Sequence, residues 1–93
     1  MTINTDVLII GGGITGLSAA YHLEKSGFKN YLLAEKSADF GGLCGSVEKN
    51  GFTYDYSGHL LHVHSEYGQA LVKTLLRGNL AKISRDTAIF SHG

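Results

Sequence analysis

The fold of this chain is decided by the stretch Asp6-Val7-Leu8-Ile9-Ile10-Gly11-Gly12-Gly13-Ile14-Thr15-Gly16. Its first half is a short aliphatic run that is apolar on both faces, which is typical of a central parallel strand. Its second half matches the pattern G-x-G-x-x-G. The residues from Ile14 to Ser26 have apolar positions at spacings of three and four and predict a helix that Gly27 ends. Because the glycines follow a predicted strand and open a predicted helix, the pattern predicts a site for a dinucleotide.

Each glycine of the pattern has its own expected role. Gly11 permits a tight turn, Gly13 lets a pyrophosphate approach the backbone, and Gly16 lets the helix pack closely on the strand. The start of the helix offers free N–H groups and the positive end of a dipole to the phosphates. We therefore expect the phosphate site to be lined by the whole loop: Gly11, Gly12, Gly13, Ile14, Thr15 and Gly16.

A second apolar run, Asn30–Ala34, predicts a second strand, and Glu35 follows it 24 positions after Gly11. The dinucleotide fingerprint has an acid about 20 residues after its first glycine, where it binds the ribose hydroxyls. A carboxylate at this position would repel a 2′-phosphate, which disfavours NADP. Lys36 is expected to cover the edge of the adenosine or to be solvated.

The remainder of the chain predicts different elements. A second glycine cluster, Gly41, Gly42 and Gly45, precedes a hairpin at 46–55 whose Asn50-Gly51 pair is typical of a type I′ turn. Ser65 is expected to cap a helix from Glu66 to Arg77 with an apolar core stripe, and Gly78 to end it. Two short strands are expected within 81–90. The predicted parts are a βαβ unit at 5–36, a Gly-Gly loop and hairpin at 39–56, and a loop, helix and strands at 57–93.

Composition excludes several classes of protein. The chain has 93 residues, 43% of them hydrophobic and 17% charged, which is not the composition of a disordered segment. Its formal net charge is zero, so no electrostatic footprint for nucleic acid or an anionic membrane is expected. No membrane-spanning run or signal peptide is visible. The single cysteine, Cys44, precludes an intrachain disulfide and makes a cytoplasmic location the default expectation.

The order of motifs resembles a known family. The glycine fingerprint, the acid, the Gly41-Gly42 doublet, the Asn-Gly hairpin and a final D-x-x-G-H at 55–59 follow one another as in the N-terminal FAD-binding segment of the amine oxidase and protoporphyrinogen oxidase superfamily. That family includes UDP-galactopyranose mutase and the carotenoid desaturases. The resemblance implies an α/β fold: a Rossmann-like βαβ dinucleotide-binding unit, then a β-hairpin and a helix, forming an incomplete doubly wound FAD-binding domain. It also implies that the remainder of the protein lies beyond these residues.

The resemblance implies roles for the later residues. The loop of Gly41, Gly42 and Leu43 would lie beside the diphosphate and ribityl chain, and Gly58 and His59 would lie near the isoalloxazine ring. The family's usual arginines around the doublet are absent, since Asp39 precedes it and Leu43 follows it. The implied function is a flavin-dependent oxidoreductase that uses FAD on a small-molecule substrate, with the catalytic residues elsewhere in the protein.

Three alternatives remain open from the sequence. A mutase would use reduced FAD to rearrange a sugar nucleotide, an NAD-dependent dehydrogenase would use the same fingerprint, and a nucleotide-binding module would have no activity. The doublet and hairpin after Glu35 argue against the dehydrogenase.

Five side chains, one of them His59, invite a further functional interpretation. A metal site at His59, His62 and His64 is not expected, because their spacing is loose and no carboxylate or thiol lies in a fixed frame with them. Cys44 is expected to be a half-buried packing residue. Asp55 is expected to bind the backbone of the loop that follows it.

Overall fold

The structure, a computed structural model, describes residues 1–56 and 60–92 and divides into two compact units, 1–59 and 60–93. Gly58 and His59 lie outside the described residues, so their predicted position near a flavin ring stays a prediction. The first unit contains β1 (Val7–Ile10), α1 (Ile14–Lys25), β2 (Tyr31–Ala34), a 3₁₀ turn (Gly42–Cys44), β3 (Ser46–Lys49) and β4 (Phe52–Asp55). The second contains α2 (Glu66–Leu76).

The first three elements form the predicted strand–helix–strand unit. Strands β1 and β2 are parallel, with Val7 opposite Tyr31 and Ile10 opposite Ala34. Because side chains alternate across a strand, each strand presents one set of residues to α1 and the other set to the opposite face. The half-buried set is Val7, Ile9, Tyr31 and Leu33. Gly27, with φ of 84°, follows α1 and ends it as predicted.

The opposite face of this two-stranded sheet is uncovered. Leu8, Ile10 and Leu32 expose 54, 83 and 38% of their surfaces. Among the described residues no apolar side chain is buried, so this unit has one covered face where a doubly wound sheet has two.

The hairpin has the predicted turn. Asn50 and Gly51 have φ of 53° and 79°, as a type I′ turn requires, and Lys49 pairs with Phe52 beside it. At the open end Ser46 pairs with Asp55, and the Ser46 hydroxyl donates a hydrogen bond to the Asp55 carboxylate. The described partner of Asp55 is therefore Ser46 on the opposite strand, and the loop at 57–59 that Asp55 is predicted to bind lies outside the described residues.

Helix α2 is capped as predicted but buries a different face. The Ser65 hydroxyl accepts a hydrogen bond from the Gly68 N–H at 3.0 Å, and Arg77 and Gly78 end the helix with positive φ. The predicted stripe is largely exposed, at 55% for both Tyr67 and Leu75. The half-buried residues of the helix are Gly68, Leu71 and Val72, of which only Leu71 belongs to the predicted stripe of Tyr67, Ala70, Leu71, Leu75 and Leu76. Gly68 packs on Val63, which explains the shift of the covered face toward the first turn.

The two strands expected within 81–90 are absent. Residues 79–92 form neither helix nor strand, and Ile89 and Phe90 expose 97 and 85% of their surfaces. A strand forms only when its backbone groups are paired with a neighbour, and no described strand pairs with this segment. No helix among the described residues has the length and apolar character needed to cross a membrane.

Candidate functional site

The turn between β1 and α1 is built around three glycines that serve different purposes. Gly11 has φ of 101°, a conformation that side-chain-bearing residues rarely adopt, and its N–H donates to the Ala34 carbonyl at 2.8 Å. A Cβ on Gly16 would collide with the Gly11 carbonyl and lie 3.3 Å from Ile9 Cγ2, so helix and strand are in close contact here. These two glycines fulfil the turn and packing roles expected of them.

Gly13 differs from its neighbours, because nothing in the described part of the chain requires a glycine there. Its φ is −75°, and a Cβ built on it would have no atom within 4 Å. The space over Gly13 is therefore open, at the first turn of α1, where N–H groups have no acceptor within the helix. Ile14 and Thr15 are exposed beside it. The arrangement fits a pyrophosphate, which needs close backbone approach and N–H donors.

Glu35 lies directly behind this turn. Its Oε2 accepts a hydrogen bond from the Gly12 N–H at 2.6 Å, and its Oε1 accepts one from the Ser37 N–H at 2.8 Å. These hydrogen bonds, first that from Ser37 and then that from Gly12, hold the pKa of the Glu35 carboxyl below its ordinary value. The carboxylate is therefore ionised at neutral pH. Its oxygens have about four lone-pair positions, and the Gly12 and Ser37 N–H groups occupy one on each oxygen, so the carboxylate can still accept from a ribose hydroxyl.

The second glycine cluster lies against the first. The Gly41 N–H donates to the Gly12 carbonyl at 2.8 Å, and Gly13 and Gly41 form a parallel bridge. Gly41 and Gly42 have φ of 117° and 56°, and a Cβ on Gly42 would lie 3.2 Å from Gly13 Cα. The doublet is thus required by both conformation and contact, and it borders the open space over Gly13.

Other residues of the predicted site lie at its periphery. Lys36 is exposed, and Leu43 is 81% exposed in the 3₁₀ turn. Cys44 is also exposed, which corrects the expectation that it packs half-buried. None of the residues of the 3₁₀ turn Gly42–Cys44 is buried, so Cys44 lies at the surface together with its turn.

A cavity of about 410 Å³ lies between the segment 35–42 and β3, with Glu35 in its lining. Three of its lining residues carry carboxylates: Glu35, Asp39 and Glu48. Like charges make this cavity unfavourable for a phosphate. The geometry therefore leaves the space over Gly13 as the place for a diphosphate.

Two residues of this arrangement are not suggested by the fingerprint alone. Ser37 supplies a backbone donor to Glu35, and Phe40 packs its ring on Gly12. A signal for Phe40 exists in the sequence: Gly12 occupies a position where the pattern allows any residue, and a glycine there indicates a close neighbour. His62 and His64 are exposed, and the described residues contain no group of three side chains suited to a metal ion.

Known proteins share this part of the fold. The chain is 36% identical over 70 residues to a probable flavin-containing monoamine oxidase A of Dictyostelium discoideum, covering 75% of this chain and 15% of that protein. It is 46% identical over 50 residues to a carotenoid 3,4-desaturase of Haloarcula japonica, covering 54% of this chain and 10% of the desaturase. A crystal structure of reduced UDP-galactopyranose mutase superposes with a TM-score of 0.69 at 38% identity, over 78% of this chain and 16% of the mutase chain.

These relatives bear out the resemblance inferred from the motifs, and this chain spans about one sixth or less of their lengths. The family model described as an NAD(P)-binding Rossmann-like domain matches residues 9–77, which include the glycine turn, Glu35 and the doublet. This chain therefore belongs to the NAD(P)-binding Rossmann-like domain family, and the proteins similar to it include an amine oxidase, a carotenoid desaturase and a UDP-galactopyranose mutase.

Proposed function

We propose that this chain is the FAD-binding N-terminal part of a flavin-dependent oxidoreductase acting on a small molecule. The observation that carries the proposal is the contact between the two glycine clusters. The Gly41-Gly42 doublet is hydrogen-bonded to the fingerprint turn and leaves the backbone open over Gly13. A turn that binds only the adenosine diphosphate part of a dinucleotide does not need the additional backbone of Gly41 and Gly42. A longer cofactor can extend along this backbone toward the rest of the protein.

The proposed roles follow from the geometry of each residue. Gly11, Gly13 and Gly16 shape the turn that receives the diphosphate, and the N–H groups at the start of α1 donate to it. Glu35 accepts hydrogen bonds from the ribose, and Gly41 and Gly42 border the diphosphate and the ribityl chain. The bound flavin supplies a ring that accepts a hydride from the substrate. The likeness to a flavin-containing monoamine oxidase supports the choice of FAD.

Gly58 and His59 keep their proposed position beside the flavin ring on the resemblance alone. We also propose a cytosolic location, because the one cysteine is exposed and unpaired, as a reducing compartment allows.

The first test is an absorbance spectrum of the purified full-length protein in the near-ultraviolet and visible range. Two flavin bands, with FAD released on denaturation, are the expected result. A colourless protein that takes up NAD but no added FAD would overturn the proposal and favour the NAD-dependent alternative.

A sugar-nucleotide mutase is the second candidate, favoured by the TM-score of 0.69 and 38% identity to UDP-galactopyranose mutase. The two candidates differ in their need for a reductant. A mutase would be active only after the flavin is reduced and would bind a UDP-sugar, whereas an oxidoreductase would reduce its flavin at the expense of its substrate. Reductant-dependent turnover of a UDP-sugar with no net redox change would select the mutase.

A further inference from the structure

Gly12 is the only buried residue among those described, although it lies in a turn at the end of a strand of a small sheet. Two side chains cover it. A Cβ on Gly12 would lie 3.0 Å from Phe40 Cε1, closer still to Phe40 Cδ1, and 3.2 Å from Glu35 Cβ. Phe40 itself is 60% exposed, so its ring lies against Gly12 through the Cδ1–Cε1 edge while much of its surface faces solvent.

Both backbone polar groups of Gly12 are used in the site. Its N–H donates to Glu35 Oε2 at 2.6 Å, and its carbonyl accepts from the Gly41 N–H at 2.8 Å. Gly12 therefore joins the carboxylate to the doublet, and the Phe40 ring and Glu35 Cβ lie over this part-buried junction. A hydrogen bond to a carboxylate is stronger where water is excluded, because the local dielectric is lower and no solvent donor competes.

We propose that Phe40 is a positioning residue for dinucleotide binding: by covering Gly12, its ring holds the Gly12–Glu35 hydrogen bond and presents the carboxylate to the ribose hydroxyls. The inference rests on the proposed role of Glu35 toward the ribose. It explains why a glycine occupies the permissive second position of the fingerprint. It also gives a function to Phe40, whose exposure alone would not suggest one.

The test compares ADP with 2′-deoxy-ADP on the flavin-stripped full-length protein, because the two probes differ only in the hydroxyl that Glu35 would bind. In the unmodified protein ADP is expected to bind roughly tenfold more tightly than 2′-deoxy-ADP. Phe40→Ala should reduce that ratio to about twofold, because a mobile carboxylate discriminates less. Phe40→Leu, which keeps an apolar cover, should retain most of the ratio.

Phe52→Ala is the matched control, since Phe52 is similarly exposed, at 65%, and lies on β4 outside the site. It should leave both affinities unchanged. Should Phe40→Ala fail to fold, Phe40→Asn removes the ring while suiting a surface loop and carries the same expectation. A merely structural role of Phe40 would weaken both probes equally and keep their ratio.

A second arm tests the contact itself. Gly12→Ala should weaken ADP binding by about tenfold or more, because its methyl group displaces the ring or the carboxylate. Adding Phe40→Ala should restore part of that loss, because it frees the space. An unchanged ratio in Phe40→Ala, or absence of discrimination by the unmodified protein, would overturn the inference. Because ADP is common to FAD and NAD, failure to bind FAD would refute only the proposed cofactor.

Discussion

Replacing Gly16 by alanine tests the closeness of α1 and β1, on which the shape of the phosphate turn depends. The new Cβ would overlap the Gly11 carbonyl oxygen and lie 3.1 Å from the Gly11 carbonyl carbon and 3.3 Å from Ile9 Cγ2. A flexible side chain could move aside, but a backbone carbonyl held in a turn cannot. The helix must therefore shift away from the strand.

The expected magnitude combines two opposing terms. Overpacking of this kind costs about 1–3 kcal/mol, and the upper end applies because the obstacle is backbone. Alanine is better than glycine inside a helix by about 1 kcal/mol. The free energy of unfolding should therefore fall by about 2 kcal/mol for a unit that unfolds in one step.

The assay is urea denaturation of the ligand-free full-length protein, followed by far-ultraviolet circular dichroism. The dinucleotide is omitted because a ligand bound to the native state adds stability of its own. Gly13→Ala is the matched control, since its Cβ would meet nothing within 4 Å. It should lower the stability by less than about 1 kcal/mol, the effect of alanine at a helix N-cap, yet abolish tight dinucleotide binding.

The two variants thus have opposite signatures. The main effect of Gly16→Ala should be a lower free energy of unfolding, whereas the main effect of Gly13→Ala should be the loss of dinucleotide binding. If Gly16→Ala were as stable as the unmodified protein, the close packing of α1 on the glycine turn would be wrong.

Three further predictions follow from single features. The pKa of Glu35 is lowered in the folded protein, so the ionised carboxylate stabilises the fold fully above its ordinary pKa of about 4.5. This stabilisation is lost as the pH falls through the lower pKa of the folded state. Glu35→Gln should remove this part of the acid dependence of stability, measured by denaturation at several pH values. Ser65→Ala should cost about 1 kcal/mol of helix stability, seen in the same denaturation assay, because Gly68 loses its cap; an unchanged midpoint would contradict the cap. Residues 1–93 alone should unfold without a cooperative calorimetric transition, since no described apolar side chain is buried, and a sharp heat-absorption peak would refute this.

Elements whose signals are local were predicted closely. The strand before the glycines, the helix after them and the Asn50-Gly51 turn each depend on residues within one or two turns of chain, and their bounds differ from the predicted ones by one residue at most. Glu35 was placed by its spacing from Gly11, because a strand–helix–strand unit has a nearly constant length.

Predictions that depended on contacts between residues far apart in sequence were wrong or only partly confirmed. The two strands within 81–90 do not form, although their residues suit strands, because pairing requires a neighbour that composition does not supply. The stripe of α2 was correctly apolar but mostly exposed, since burial depends on what covers a helix and not on its own periodicity. Cys44 was expected to pack half-buried and is exposed for the same reason.

The sequence by itself determined the dinucleotide-binding turn, because a glycine fingerprint between a strand and a helix encodes its geometry within six residues. It also indicated the family through the order of its motifs. Only the tertiary structure decided that the doublet binds back to the turn, that Phe40 covers Gly12, and that two backbone N–H groups orient Glu35. Most of these contacts join residues more than 20 positions apart, and the path of the chain between them, rather than any local preference, brings them together.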